Sequence, residues 1–222
     1  MQKRDIKDQL YEQVARIGKA LSSPKRLELL EMLGQGEKSV EALTAELSID
    51  IKLTSAHLKA LRDASLVQAR RDGKYMLYRL SGGDVAQLAL SLRLVAQEHL
   101  VEMRVAMQHL VSNPDKLLTS SRSELLKRAI RGEVVVIDVR PPDEFDAAHL
   151  PHARSMPLAD LKRRLRELPK DCDIVAYCRG PFCLMSDAAV KLLRAKGYRA
   201  TKTTDGIHEW QAAGFALEAQ GV

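Results

Sequence analysis

Apolar residues recur at helical spacing through the first half of the chain and in short unbroken runs through the second. Residues 5–20 read as a first amphipathic helix. Ser23-Pro24 caps and starts a second, with Leu27, Leu29, Leu30 and Leu33 apolar, and Gly34 and Gly36 end it. Ser39, followed by Ala42, caps a short third helix through Leu47, and Asp50 suits the N-cap of a fourth running to about Ala64. Two strands follow, Val67–Arg71 and Tyr75–Leu80, joined at Asp72-Gly73, a hairpin signal. From Val85 to about Val111 a long helix carries Leu88, Leu92, Val95, Leu100, Met103, Met107 and Leu110. That stripe is wide for one helix, which favours packing against a partner chain.

The pattern changes after Ser112-Asn113-Pro114-Asp115 and the polar stretch Thr119-Ser120-Ser121. Asn-Pro ends a helix and the serines suit a connection, so residues 113–121 read as a linker between a domain over 1–112 and one over 122–222. A helix over Arg122–Arg131 opens the second domain. Val134-Val135-Val136-Ile137-Asp138-Val139 is nearly all β-branched, as in a strand buried on both faces. A second such strand, Ile174-Val175-Ala176-Tyr177, runs straight into Cys178, and helices are expected over 158–167 and 184–196. This alternation predicts an α/β domain with a mostly parallel sheet behind a mostly α winged helix-turn-helix domain.

Composition narrows the function classes. Of 222 residues 45% are hydrophobic and only 4% aromatic, so aliphatic side chains must build the cores. The net charge of +6 is concentrated: between Lys52 and Arg79 stand seven basic residues against two acidic ones. A basic patch confined to one helix and one hairpin points to a nucleic acid more sharply than a high overall charge does. No run approaches the ~18 apolar residues of a membrane span, and the polar N-terminus lacks the apolar stretch of a signal peptide. The expectation is a cytoplasmic protein whose three cysteines are reduced, so that a conspicuous one is a candidate for chemistry.

A short helix, a tight turn, a second helix and a basic hairpin make a winged helix-turn-helix. On its second helix Leu53, Leu58 and Leu61 are expected to face the core, with Lys52, Thr54, Ser55, His57, Lys59 and Arg62 outward. Short polar side chains at its start can approach base edges in a major groove. Lysines and arginines neutralise phosphates, and Arg70, Arg71 and Lys74 of the wing can reach the flanking backbone. The stretch from Ser55 to Val67, the segment Arg71-Asp72-Gly73-Lys74-Tyr75-Met76-Leu77-Tyr78-Arg79-Leu80 and the opening Ala20-Leu21-Ser22-Ser23-Pro24-Lys25-Arg26-Leu27 resemble the ArsR-type repressors. The resemblance covers about residues 8–110. It implies a double-stranded DNA operator as partner and a homodimer held by the first helix and the Val85–Val111 helix. Metal sensing in that family uses cysteine pairs on the third helix or carboxylate–histidine sets on the last. Residues 1–171 hold no cysteine, and Glu98, His99, Glu102 and His109 do not reproduce the spacing, so no metal site is assigned.

Cys178 heads the loop Cys178-Arg179-Gly180-Pro181-Phe182-Cys183 between a strand and a helix. Backbone amides in such a loop can converge on a thiolate at the helix N-terminus, and a thiolate there can take up sulfane sulfur as a persulfide. Gly180 and Pro181 suit a tight curve, and Arg179 offers a cation for an anionic donor. Taken by itself, Cys178 could equally be a buried structural cysteine. The surrounding segments change that: Asp138-Val139-Arg140-Pro141-Pro142-Asp143-Glu144-Phe145, His149-Leu150-Pro151-His152-Ala153 and Asp205-Gly206-Ile207-His208-Glu209-Trp210, with the Tyr177–Gly180 loop, resemble the rhodanese family over residues 122–220. The resemblance implies a sulfurtransferase fold with Cys178 as the persulfide-carrying nucleophile, and it calls for no cofactor. Related phosphatases and arsenate reductases place an arginine six residues after the cysteine; here that residue is Leu184, which cannot clamp an oxyanion. Asp138, Arg140, Glu144 and His149 read as a structural network, Trp210 as core and Cys172 as incidental. Cys183 either resolves a persulfide or fills space as a small hydrophobe.

The two modules together suggest a repressor that couples reactive sulfur, from thiosulfate or a persulfide, to operator binding. Two other readings stand beside it: an enzyme chiefly turning over sulfur donors, with the helical half used to dimerise or localise it, and a metalloid site at Cys178 and Cys183 that Cys172 would have to complete.

Overall fold

The computed structural model describes residues 3–110 and 117–219. The helix end expected at Val111 and residues 113–116 of the expected linker lie outside the described residues. The chain forms two compact units, Met1–Ser91 and Leu92–Val222, and the division falls inside a helix.

The first unit contains α1 (Lys3–Leu21), α2 (Pro24–Gly34), β1 (Lys38–Ser39), α3 (Val40–Leu47), α4 (Ile51–Asp63), β2 (Val67–Asp72), β3 (Tyr75–Leu80) and the first part of α5 (Gly83–His99). Two helix starts follow directly from sequence. Ser39 Oγ accepts the Ala42 amide at 3.1 Å, and the Asp50 carboxylate accepts the Lys52 and Leu53 amides at 2.7 and 3.3 Å. Leu29, Leu30, Leu43, Leu58 and Leu61 pack at the centre with Leu66, Val67 and Tyr78 of the hairpin region. β3 lies between β2 and the two-residue β1, all antiparallel, in a sheet that sequence patterning gives no sign of beyond the hairpin. Asp72 pairs with Tyr75, so the turn residues are Gly73-Lys74, one position later than expected, and Gly73 takes the left-handed conformation at φ 57°.

The expected long helix is two: α5 ends at His99, and α6 runs Val101–Leu110. The Arg104 guanidinium takes the Glu98 carbonyl at 2.6 Å, the acceptor that an unbroken helix would offer to the Glu102 amide.

In the second unit α7 (Arg122–Ile130), β4 (Val134–Asp138), α8 (Pro142–Ala147), β5 (Arg154–Ser155), α9 (Leu158–Arg164), a 3-10 turn (Leu165–Glu167), β6 (Asp173–Tyr177), α10 (Met185–Ala195), β7 (Ala200–Lys202) and α11 (Ile207–Ala212) follow in order. The four strands form a parallel sheet in the order β5-β4-β6-β7. Both faces are buried, and the strand period of two sorts their side chains. Val135, Ile137, Ile174 and Ala176 pack with Leu161 of α9 and with Ala189, Val190 and Leu193 of α10. Val134, Val136, Val175 and Tyr177 pack on the other face with Leu125 of α7 and with Ile207 and Trp210 of α11. The sheet's C-terminal edge is where β6 delivers Cys178.

Candidate functional site: a cysteine loop and a basic helix

Cys178 is the first residue after β6, and the loop it opens ends where α10 begins at Met185. Its side chain is buried, at 2% exposure. Sγ lies 3.2 Å from Ser186 Oγ, in the first turn of α10, and 3.5 Å from the Cys183 carbonyl oxygen. The Cys183 side chain donates to the Cys178 sulfur and is the largest influence on it. With the Ser186 hydroxyl and the Ser186 and Gly180 amides it outweighs burial, and together they bring the thiol down from its ordinary 9.0 to about 6. The same contact, with burial second, pushes the Cys183 thiol up. The contact thus favours the thiolate on Cys178 and the protonated thiol on Cys183. Ser186, eight residues on, escaped the sequence reading; a hydroxyl in the first turn of the helix after the loop was its only signal.

Two glycines set the loop's path. Gly180 has φ +149°, a conformation that favours glycine. Gly206, at the start of α11, lies so close that a Cβ there would stand 2.2 Å from the Arg179 carbonyl oxygen and 2.9 Å from that of Cys178. The Gly206 amide donates to Glu209 Oε2 at 2.7 Å, which caps the first turn of α11.

Arg179 is placed differently from the expectation that it offers a cation to a donor. Its guanidinium pairs with the fully buried Glu144, with Nε 3.0 and 3.1 Å from the two carboxylate oxygens. Burying Glu144 at the base of the loop demands such a partner. Deeper in, Arg140 donates through Nε to both oxygens of Asp138 at 3.0 Å and through Nη2 to the Ala148 carbonyl at 2.7 Å; both side chains are fully buried. Tyr177 donates its hydroxyl to Asp138 at 2.5 Å and accepts the Leu150 amide. Burial, and after it the Asp138 charge, pushes that hydroxyl well above its ordinary value. His149 stacks on Phe145 with ring centroids 3.7 Å apart, Nδ1 2.7 Å from the Phe145 carbonyl, and its backbone pairs with Glu218. Cys172 precedes β6 while Cys178 follows it. The five residues of β6 lie between them, six steps of strand that span roughly 20 Å, so Cys172 cannot complete a metalloid site with Cys178, and that reading is set aside.

On α4 the outward face is Lys52, Ser55, Lys59 and Arg62, with His57 half-buried. Two expectations reverse. Thr54 is fully buried with Oγ1 3.1 Å from the Asp50 carbonyl, so it faces the core, and Leu53 is 47% exposed. The side-chain contact to the N-cap carbonyl turns Thr54 inward, and Leu53, one position earlier, must then turn out. Lys59 pairs with Asp63 at 2.7 Å. In the wing Arg71 and Lys74 are exposed; Arg71 Nε bonds the Gly73 carbonyl, and Arg70 is held by Glu37 across the sheet edge at 2.5 Å.

Comparison with known proteins agrees with both halves. Residues 121–213 match the rhodanese-like domain family and residues 23–69 the bacterial regulatory protein arsR family. The chain is 44% identical over 214 residues to the HTH-type transcriptional regulator Rv0324 of Mycobacterium tuberculosis, covering 96% of this chain and 94% of that protein. A sulfurtransferase of Allochromatium vinosum is 33% identical over 88 residues, 39% of this chain and 80% of that one. The solution structure of the homodimeric winged helix-turn-helix DNA-binding domain (fragment 1–100) of Mb0332 from Mycobacterium bovis, a possible ArsR-family regulator, is 43% identical, with a TM-score of 0.42 over 46% of this chain and 93% of that one. With the arsR match on the helices that carry the basic face and the rhodanese match on the sheet that carries Cys178, the chain belongs to the ArsR-family transcriptional regulators and bears a C-terminal rhodanese-like domain.

Proposed function

We propose that this regulator is a homodimeric repressor that reports reactive sulfur: Cys178 takes up sulfane sulfur as a persulfide, and the modification changes the protein's affinity for its operator. The observation that carries the reading is the Cys178 loop, where the Ser186 hydroxyl and the Ser186 and Gly180 amides converge on a buried sulfur and draw its pKa down. A thiolate so held is a nucleophile at cytoplasmic pH without a separate base. Lys52, Ser55, His57, Lys59 and Arg62 of α4, with Arg70, Arg71 and Lys74 of the wing, supply the face that meets operator DNA. Once its thiol gives up its proton, Cys183 can attack the inner sulfur of the Cys178 persulfide: the Cys178–Cys183 bond forms, the outer S–S bond breaks, and hydrosulfide leaves and takes up the proton as hydrogen sulfide.

The test uses a duplex selected by the protein from a random library. Binding is measured with and without a hydropersulfide for wild type and Cys178→Ser. The donor should change wild-type affinity and leave the variant unmoved; equal donor responses in both proteins sink the proposal. A steady-state sulfur-transfer assay separates sensor from enzyme, since a sensor keeps a stable persulfide and turns over slowly.

A further inference from the structure

Three basic side chains gather at the loop's end of the sheet, and each is matched by a carboxylate. Arg179 pairs with Glu144, their side chains 12% and 0% exposed. Arg93, in the part of α5 that belongs to the second unit, pairs with Glu209 at 16% and 12% exposure. Lys202, the last residue of β7, pairs with Asp187, which directly follows Ser186. The loop's outer rim is apolar instead: Phe182 and Leu184, on either side of Cys183, are 37% and 58% exposed. The Arg93 guanidinium lies over the Phe182 ring, 5.5 Å from its centroid, and is thereby engaged on two sides.

A donor approaching Cys178 therefore meets a thiolate, neutralised ion pairs and hydrocarbon. Thiosulfate is a compact dianion, and two charges of its own sign must come within bonding distance of a third. With Arg93, Arg179 and Lys202 already paired to carboxylates, that approach is weakly compensated, and the donor's hydration is lost against an apolar rim. An organic hydropersulfide carries less charge and brings hydrocarbon to lie on Phe182 and Leu184.

We infer that the loop selects organic hydropersulfides over thiosulfate as sulfur donors, by pairing off its cations and exposing Phe182 and Leu184 at its rim. The inference rests on the reading of Cys178 as a sulfur acceptor and names the donor class. In the step itself the Cys178 thiolate attacks the terminal sulfur of R–S–SH. A new S–S bond forms at Cys178, the donor's S–S bond breaks, and its electron pair leaves on R–S⁻. The proton stays on the transferred sulfur, and no outside oxidant is needed.

Single-turnover loading of full-length protein, followed by intact mass, tests it with an alkyl hydropersulfide and with thiosulfate at equal concentration. We expect the hydropersulfide to load Cys178 at least about tenfold faster. Because donors differ in intrinsic reactivity, the rates are also compared in Glu209→Gln and Asp187→Asn, which release Arg93 and Lys202. Either variant should raise the thiosulfate rate several-fold and move the hydropersulfide rate much less. Thiosulfate loading wild type as fast as the hydropersulfide, or an unchanged ratio in both variants, overturns the selectivity while leaving Cys178 an acceptor. Failure of both donors to load wild type overturns the acceptor reading itself.

Discussion

Hydrogen bonds draw the Cys178 thiol's pKa down, and the source of each bond makes its reactivity predictable. A group whose pKa falls from 9.0 to about 6 is protonated, and unreactive, only below that lower value. Alkylation by iodoacetamide should rise through a midpoint near pH 6 and stay level above it, up to the range where an ordinary thiol would begin to react. Cys183 supplies the largest lowering influence, so Cys183→Ala should move that midpoint upward; a midpoint left in place would show that Ser186 and the amides suffice. The second residue-scale expectation concerns Gly206. A methyl at that position meets the Arg179 carbonyl, which is backbone and cannot swing aside. Gly206→Ala should cost about 1–3 kcal/mol of stability by overpacking. It should also shift the loop amides off Cys178 and raise the alkylation midpoint. A variant that melts like wild type and titrates at the same pH would show that α11 retreats freely.

At the scale of elements, α4 and the wing carry the nucleic-acid argument. Lys52→Ala and Arg62→Ala remove exposed cations from the outward face. Each should weaken operator and random duplex alike and flatten the dependence of log affinity on log salt by about one unit for each phosphate no longer neutralised. A weakening confined to one sequence would mean base reading instead. The elements themselves differ in how far sequence revealed them. α4, its Asp50 cap and both strands of the wing were legible, because capping and alternation are local properties. The direction of Thr54 was not: its hydroxyl satisfies a backbone carbonyl from inside, and a polar residue on a helix gives no outward sign of that. β4 and β6 were legible as continuous apolar runs. The three-residue β7 and two-residue β5 lack a period long enough to read and exist because their neighbours supply hydrogen bonds. In the cysteine loop the position of Cys178 between strand and helix and the tight curve at Gly180 could be read from residue order. The commitment of Arg179 to Glu144 could not, since 35 residues separate the partners.

At the scale of the whole molecule, the proposed dimer has exposed apolar residues to draw on. Ile6, Leu10 and Val14 recur every four residues on α1 and are 41%, 64% and 66% exposed, and Leu88, Leu92 and Val95 of α5 are at least 40% exposed. Exposed apolar stripes of this kind are costly in water and are relieved by self-association. Leu10→Glu with Val14→Glu should convert the sedimenting species to monomer and abolish tight operator binding, since a dimer engages two half-sites about one helical turn apart. Cys178 loading should survive in that monomer, because the loop is built wholly from residues of the second unit. A monomer that still bound operator tightly would remove the dimer from the proposal.

Coupling between sulfur and DNA carries a thermodynamic obligation that needs no structural pathway to be checked. If persulfidation of Cys178 weakens operator binding by some factor, operator binding must disfavour persulfidation by the same factor, because the two equilibria close one cycle. The protein can be poised in a buffer of hydropersulfide and its parent thiol, whose ratio fixes the loaded fraction of Cys178. Cys183→Ala keeps the loaded state from advancing to a disulfide, so that the equilibrium is defined. Saturating operator should then lower the loaded fraction at each ratio, and the shift in midpoint ratio should equal the affinity change measured by DNA binding. A coupling of the usual size, about 1–3 kcal/mol, displaces the midpoint roughly 5- to 150-fold. Random duplex, bound through phosphates alone, should displace it less. An affinity change in one direction without the matching shift in the other would mean that the two measurements sample different species. A midpoint indifferent to operator, in a protein whose operator affinity is equally indifferent to sulfur, would leave the cysteine loop and the basic helix as independent activities on one chain.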